Sequence, residues 1–438
     1  LPDQATVRRA LQRAEFVVLQ EAYTTTATAA YADVLLPATS WGEKSGTVTN
    51  SERCISRVRA AVAAPGLARD DWAIAAGVAQ RIEKLMPPTR VAALQGESMF
   101  RYASPEDVWN EHRESTRGRD LDITGMSYAL LDQASQQWPL REGESIGAKR
   151  LYAEGQFPTP DGRACFTAPA WRAVAEPRDA RYPVALNTGR LRDQWHGASR
   201  TGTLGRLFAH APEPTLDMHP QELARRRWLA GDLVRVTSRR GELVLPVAAS
   251  EAVAPAQAYI AMHWGSEWVA GDGVNALTNA SVCPQSHQPE LKHAAVRVAG
   301  AGLPWQIAAA WLPADEAWRL REDLRALFPR FGYAHCVPFG REDGREDGRA
   351  DGQDSGRESG REKAAAAPAL TGLRFRAALT GPAEPKLLQA VEAALGLAGA
   401  PLLRYADART GQTRLMALQP DGTLRAYLLA GDTAADAW

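Results

Sequence analysis

Apolar residues change their spacing several times along this chain, and each change predicts a different kind of element. Near the start, Phe16-Val17-Val18-Leu19 and Val34-Leu35-Leu36 are short runs, apolar throughout and bounded by polar or proline positions. Runs of that length and texture predict buried parallel strands. Between 70 and 84 the apolar positions recur at helical spacing, which predicts an amphipathic helix. From 87 to 182 the pattern weakens into irregular structure, with Pro, Gly and Trp scattered through it and one helix at 105–114.

Beyond 182, short strands separated by turn residues take over. Leu233-Val234-Arg235-Val236 and Leu243-Val244-Leu245-Pro246-Val247 flank an Arg240-Gly241 turn, which predicts a hairpin in an all-β or barrel-like region running from 183 to 300. Residues 301–340 are expected to connect that region to the next. Positions 341–363 then carry REDG REDG RADG QDSG RESG, dense in charge of both signs and with Ala350 as the one apolar side chain. Such a segment cannot offset its own ordering entropy, so a disordered, low-complexity linker is predicted. The tail, 364–438, offers a helix at 385–397 and a hairpin, 413–418 and 423–429, turning at Pro420-Asp421-Gly422, hence a small α+β domain.

Composition narrows the function. The 438 residues carry 51 basic and 51 acidic side chains and are 45% hydrophobic, which disfavours a nucleic-acid binder, an acidic tail protein and a membrane protein. The longest nearly apolar stretch, 298–314, is interrupted by Pro304, Gln306 and Pro313, short of the ~18 uninterrupted residues of a membrane span. The four cysteines, Cys54, Cys165, Cys283 and Cys336, form no C-x-x-C pair, so neither a zinc ribbon nor an iron–sulfur cluster can be built locally. Leu1 is not an initiating residue and no signal pattern follows it, so an end made by truncation or processing is expected.

Five segments carry more chemistry than packing requires. Gln20-Glu21 ends a predicted strand, where open α/β sheets bind ligands, though a polar strand terminus looks the same. The stretch from Trp41 to Arg53, containing Lys44, offers hydroxyls, backbone N–H groups and a cation to phosphate oxygens; a solvated loop with a helix cap at Ser51 is the alternative. In Ala68-Arg69-Asp70-Asp71-Trp72 a carboxylate could accept from the N1–H and N2–H₂ donors of guanine, or simply cap a helix.

The fourth segment, Thr188-Gly189-Arg190-Leu191-Arg192-Asp193-Gln194-Trp195-His196-Gly197, follows the strand Val184-Ala185-Leu186. Its glycine permits close approach of the backbone to an anion, Thr188 can donate a hydroxyl, Arg190 and Arg192 offer forked donors, and His196 could bond a polar heterocycle or be a satisfied buried histidine. The fifth pairs Asn275 with Ser286-His287-Gln288-Pro289-Glu290-Leu291-Lys292 around a turn. None of the five supplies a metal-ligand set, and the eight histidines show no H-x-x-x-H spacing. The residues alone describe a scaffold that holds anions and nucleotides without a catalytic group of its own.

Ala32-Asp33-Val34-Leu35-Leu36-Pro37-Ala38 through Gly46-Thr47-Val48-Thr49-Asn50-Ser51-Glu52-Arg53 resembles the bis-molybdopterin guanine dinucleotide oxidoreductases. Four further stretches, 122–128, 157–164, 186–196 and 288–293, are similar to the catalytic subunits of bacterial assimilatory nitrate reductases. Together the matches cover roughly residues 1 to 300. The resemblance implies that 1–86 is the C-terminal part of an α/β molybdopterin-binding domain, 87–182 an irregular connecting region of the core, and 183–300 a six-stranded-type dinucleotide-binding β-barrel. It also implies that Gln20, Glu21, Lys44, Asp71, the run from Thr188 to Gly197, Asn275 and Lys292 contact Mo-bis(molybdopterin guanine dinucleotide), and that His263 and Trp264 lie by the substrate funnel. Cys54 stands where many such proteins carry a second arginine.

The enzyme so implied is a cytoplasmic molybdenum-dependent nitrate reductase of nitrate assimilation. It would take electrons from a donor protein or reductase subunit through a [4Fe-4S] cluster, with a [2Fe-2S] module in some relatives. On this reading the molybdenum ligand and the cluster cysteines precede Leu1, the chain is the carboxyl-terminal part of a larger enzyme, no catalytic or metal ligand lies within it, and alone it is inactive. Two alternatives stay open: another member of the family, a formate dehydrogenase or periplasmic-type nitrate reductase, and a non-catalytic cofactor-holding protein. Neither nucleic acid nor membrane is an expected partner.

Overall fold

A computed structural model describes residues 2–87, 97–312, 317–340, 371–398 and 400–437. The linker expected at 341–363 lies outside the described residues. The chain divides into two compact units, residues 15–24 with 28–171, and residues 1–14, 25–27 and 172–438.

In the smaller unit, β1 (Val18–Glu21) and β2 (Val34–Pro37) pair in parallel, with Val18 opposite Val34. The two predicted strands exist, but the expected burial does not: Val18, Val34 and Leu35 are 49%, 36% and 44% exposed. A parallel sheet buries its strands when helices cover both faces, and this unit forms only a two-stranded sheet there. The predicted amphipathic helix runs from Asp71 to Leu85. Next, β3 (Gly46–Thr49) and β4 (Cys54–Val58) form a hairpin, extended by β5 (Gln136–Gln137). Asn50 Oδ1 accepts the N–H groups of Glu52 and Cys54 at 2.9 and 3.0 Å, so an Asx turn stands where a helix cap at Ser51 was one expectation. Ile55, Trp109, Met126 and Leu140 centre this unit's core. Trp109 is supplied by the helix Pro105–Glu114, which begins at Ser104 with proline in its first turn.

The larger unit contains a closed barrel of six strands: β6 (Val184–Gly189), β7 (Leu216–Met218), β8 (Leu233–Thr237), β9 (Glu242–Ala249), β10 (Gln257–Ala261) and β11 (Ala294–Gly300), in the order β10-β6-β11-β8-β9-β7. The hairpin β8–β9 turns at Ser238–Gly241, with Val234 and Val236 fully buried. β9 is apolar at consecutive positions because both of its faces are covered. Leu243, Leu245 and Val247 point into the barrel, while Val244 packs outward on Leu303, Tyr333 and Ala378.

The same unit holds a second sheet, and it corrects the reading of 301–340 as a connecting segment. β12 (Trp305–Trp311) and β13 (Tyr333–Gly340) join β14 (Thr371–Leu379), β15 (Leu402–Asp407), β16 (Gln412–Leu418) and β17 (Leu424–Gly431) in the order β13-β14-β12-β17-β16-β15. β12 is an inner strand between β14 and β17, which explains the apolar stretch around Ile307 to Trp311. Helices Ala317–Ala326 and Pro385–Ala394 insert Leu320, Leu324, Leu387 and Val391 into the core of this sheet. The predicted tail hairpin is β16–β17, with Gly422 at φ 83° in its turn. Among the described residues no helix is long and apolar enough to cross a membrane.

Candidate functional site

Each unit gathers its own share of the candidate residues. In the smaller unit three of them converge from separate elements. Gln20, at the carboxyl end of β1, donates its amide to Asp71 Oδ1 at 2.6 Å, and Lys44 Nζ meets Asp71 Oδ2 at 2.8 Å. Asp71 belongs to the first turn of its helix, and the preceding Asp70 occupies the cap position without making a side-chain cap bond. Asp70 instead accepts from Thr39 Oγ1 at 2.8 Å and Trp72 Nε1 at 3.3 Å. Asp70 thus makes no side-chain cap bond, and Asp71 is the aspartate that meets Lys44 and Gln20. Burial pushes its carboxyl up, but the bonds from Lys44 and Gln20 and the lysine's charge outweigh that, leaving it below the usual value. Glu21 turns back on its own chain, accepting the N–H groups of Ala22 and Tyr23 at 2.8 and 3.4 Å.

In the larger unit, β6 delivers the run from Thr188 to Gly197 to the carboxyl end of its parallel partner β10. Thr188 is buried, its hydroxyl donating to the carbonyl of Leu291 at 2.7 Å; Lys292 Nζ donates to the Thr188 carbonyl at 2.6 Å. That pair ties the fourth sequence segment to the fifth across 104 positions. Gly189 lies against Tyr259, and a Cβ there would fall 2.8 Å from the phenol ring and hydroxyl. Burial, with the charge of Asp217, raises the Tyr259 phenol, so it stays a neutral donor to the Arg190 carbonyl at 3.3 Å. Asn275 sits half-buried in the 3-10 helix Val274–Leu277, its carbonyl capped by Thr278.

Within the loop the candidates part into those that face solvent and those that hold its shape. Trp195 is 47% exposed, with the guanidinium groups of Arg190 and Arg200 at 5.1 and 5.8 Å from its ring centroid. His196 meets the same ring edge-on at 4.6 Å. Arg192 forks onto Asp193 at 2.9 and 3.0 Å. Gln194 faces inward, bonding Thr201 Oγ1 at 2.7 Å and the Leu207 carbonyl at 3.1 Å. Leu191 is partly buried against the barrel core, and the Gly197 carbonyl accepts Trp268 Nε1 at 2.9 Å. His263 and Trp264, expected beside a funnel, are only 1% and 3% exposed; Trp264 is part of the barrel core.

Sequence reasoning missed Arg200, Thr201, Tyr259 and Trp268. Trp268 had a weak signal, a second tryptophan four positions after Trp264; the others sit in segments whose pattern only suggests turns or a strand. All four cysteines are free, and among the described residues no three His, Cys, Asp or Glu side chains group as a metal site.

In the smaller unit the half-exposed, charged Asp71 carboxylate suits the donor edge of a guanine, and in the larger unit an exposed tryptophan flanked by guanidinium groups and a glycine-containing backbone beside a lysine suit a base face and a pyrophosphate. Residues 1–81 match the molybdopterin oxidoreductase family, and residues 184–295, which include the whole closed barrel except part of β11, match the molybdopterin dinucleotide binding domain. The chain is 40% identical over 303 residues to a nitrate reductase of Synechocystis sp., covering 68% of this chain and 41% of that protein. It is 34% identical over 305 residues to the assimilatory nitrate reductase of Haloferax mediterranei, covering 68% and 40%. With the F420-dependent formate dehydrogenase subunit alpha of Methanocaldococcus jannaschii it shares 32% identity over 297 residues, covering 68% and 41%. The chain thus spans about two fifths of the length of these relatives. It belongs to the molybdopterin oxidoreductase family, and its barrel is the family's dinucleotide-binding domain.

Proposed function

We propose that this chain clamps a molybdopterin guanine dinucleotide cofactor in a molybdenum-dependent nitrate reductase that serves nitrate assimilation in the cytoplasm. The observation that carries the clamping role is the convergence of Gln20 and Lys44 onto the charged carboxylate of Asp71. Asp71 would accept the guanine edge or ribose hydroxyls of one dinucleotide, with Lys44 near its phosphates. The segment from Thr188 to Gly197, with Asn275 and Lys292, would receive a dinucleotide at the barrel: backbone and Lys292 at the pyrophosphate, Arg190 and Trp195 at the base. The bound cofactor supplies the two-electron chemistry of oxygen-atom transfer from nitrate, and the protein contributes orientation and electrostatics. Electrons would come from a donor protein or a reductase subunit.

Support for nitrate comes from the similarity to nitrate reductases of Synechocystis and Haloferax. The similarity to a formate dehydrogenase subunit favours formate oxidation as the second reading. The two separate in one assay: cofactor-loaded enzyme containing this chain is given nitrate with reduced viologen, or formate with oxidised viologen. Nitrite formation without formate oxidation is expected, and the reverse result replaces nitrate by formate. His263 and Trp264 are the candidates for the substrate side; both are buried, which favours an indirect role over contact with solvent, and His263 bonds Leu191 and His196 of the loop after β6.

A further inference from the structure

One histidine fastens the loop after β6 at two points. His263, two residues beyond β10, is 1% exposed. Its Nε2 accepts the N–H of Leu191 at 2.9 Å, and its Nδ1 lies 2.5 Å from the carbonyl oxygen of His196. A backbone N–H can only donate and a carbonyl can only accept, so both contacts are satisfied by one form alone: the neutral imidazole with its proton on Nδ1. The ring thereby spans the stretch that contains Arg192 and Trp195 and fixes the distance between its ends.

The loop needs such a restraint. His196 and Ala198 both sit in the left-handed region, at φ 46° and 59°, a conformation that costs free energy for residues with a Cβ. It persists where the surroundings over-determine it. Here His263 holds the His196 carbonyl, and Trp268 holds the next one along, that of Gly197.

We propose that His263 is a positioning residue for the nucleotide: its Nδ1–H tautomer sets the shape of residues 190–197, and thereby the affinity of the barrel for a guanine nucleotide. This rests on the reading that the loop meets the dinucleotide. Burial lowers the imidazole's proton affinity; the bond to the His196 carbonyl opposes this, and the charges of Arg190 and His196 facing the ring add to the lowering, which keeps the acceptor lone pair on Nε2 available. Once protonated, Nε2 would become a donor pointed at the Leu191 N–H, and that end of the loop would be released. Affinity for a guanine nucleotide should therefore fall on acidification in step with protonation of this one ring.

The test uses the whole chain with isotope-labelled histidine and guanosine diphosphate as the probe. Nitrogen chemical shifts of His263 should report a protonated Nδ1 and an unprotonated Nε2 at neutral pH. His263→Leu, which fills the space without hydrogen bonds, should bind the nucleotide at least about tenfold more weakly, and His263→Gln, with one donor and one acceptor, should recover much of that loss. The Nε2–H tautomer, or a folded His263→Leu chain that binds as the parent does, overturns the proposal. Should His263→Leu fail to fold, the parent decides: affinity that does not change while the His263 shifts titrate overturns it equally. If the parent chain does not bind guanosine diphosphate at all, the dinucleotide reading of the loop fails, whereas the tautomer and the exchange protection of the Leu191 amide still decide whether the clamp exists.

Discussion

Lys44 Nζ and Asp71 Oδ2 are 2.8 Å apart although 27 positions separate them, and Gln20 reaches the other oxygen of the same carboxylate from 51 positions away. The Asp71 side chain is 54% exposed, so the pair contributes less than about 1 kcal/mol to stability. A function for it should appear in binding. Asp71→Asn is expected to leave the denaturation midpoint nearly unchanged while weakening guanosine diphosphate by about tenfold or more, as read by calorimetry. Because the carboxyl titrates below its ordinary 3.8, what the pair contributes is present above that value and is lost as the pH falls through the lower folded value. Affinity should accordingly show no Asp71 titration near neutrality. Equal binding by the two chains would remove Asp71 from the site.

Packing behind the barrel loop gives a second expectation. A Cβ at Gly202 would stand 2.3 and 2.4 Å from Cη2 and Cζ2 of Trp268, whose indole N–H holds the Gly197 carbonyl. Gly202→Ala must displace that ring, at a cost of about 1–3 kcal/mol, and should weaken nucleotide binding with it. Urea unfolding followed by tryptophan fluorescence measures the first effect; an unshifted midpoint would mean that the ring has room the packing does not provide.

Arg321 supports the same tryptophan from the helix Ala317–Ala326. Its guanidinium lies 3.9 Å from the Trp268 ring centroid and 5.0 Å from that of Trp318, and it donates to the Glu267 carbonyl while being 2% exposed. Arg321→Ala should destabilise the unit by about 2–4 kcal/mol through lost stacking and an unsatisfied carbonyl. Arg321→Lys should recover only part, since an ammonium cannot stack as a planar group does. Full recovery by lysine in chemical denaturation would show that charge alone matters there.

Acid sensitivity should trace to His335. This ring is fully buried in β13, its Nδ1 2.6 Å from Tyr333 Oη and its Nε2 without a partner. Burial, then the charges of Arg376 and Arg374, push its pKa from 6.5 to about 3. In the unfolded chain the imidazole binds a proton below about 6.5, whereas the folded one does not, so stability is complete above that value and falls as the pH drops toward about 3. His335→Phe should be less stable at neutral pH, because Tyr333 loses its partner, yet should show a shallower decline on acidification. Parallel declines in urea midpoint against pH would assign the sensitivity to other groups.

Much of the local structure was legible before folding was considered. The helices near 70–84, 105–114 and 385–397, the hairpin at Arg240-Gly241 and the tail hairpin at Gly422 follow from apolar period and turn chemistry, which act over a few residues. The error at 301–340 has an equally physical source. β12 pairs with β14 and β17, partners more than sixty positions away, so its apolar stretch has no local signature separating it from a buried connection.

The candidate site divides along the same line. The sequence by itself determined which chemical groups are present and that they suit phosphate and guanine: Lys44, Asp71, the arginines and glycines after Val184-Ala185-Leu186, and Lys292. Only the tertiary structure decided which of two adjacent aspartates meets Lys44, that Gln194 and His263 turn inward, and that Thr188 and Lys292 are joined. It also left β1 and β2 exposed where their composition called for burial. Residue type fixes what a side chain can donate or accept; burial and partner are set by the rest of the fold, whose contacts span a hundred positions and leave no periodic trace.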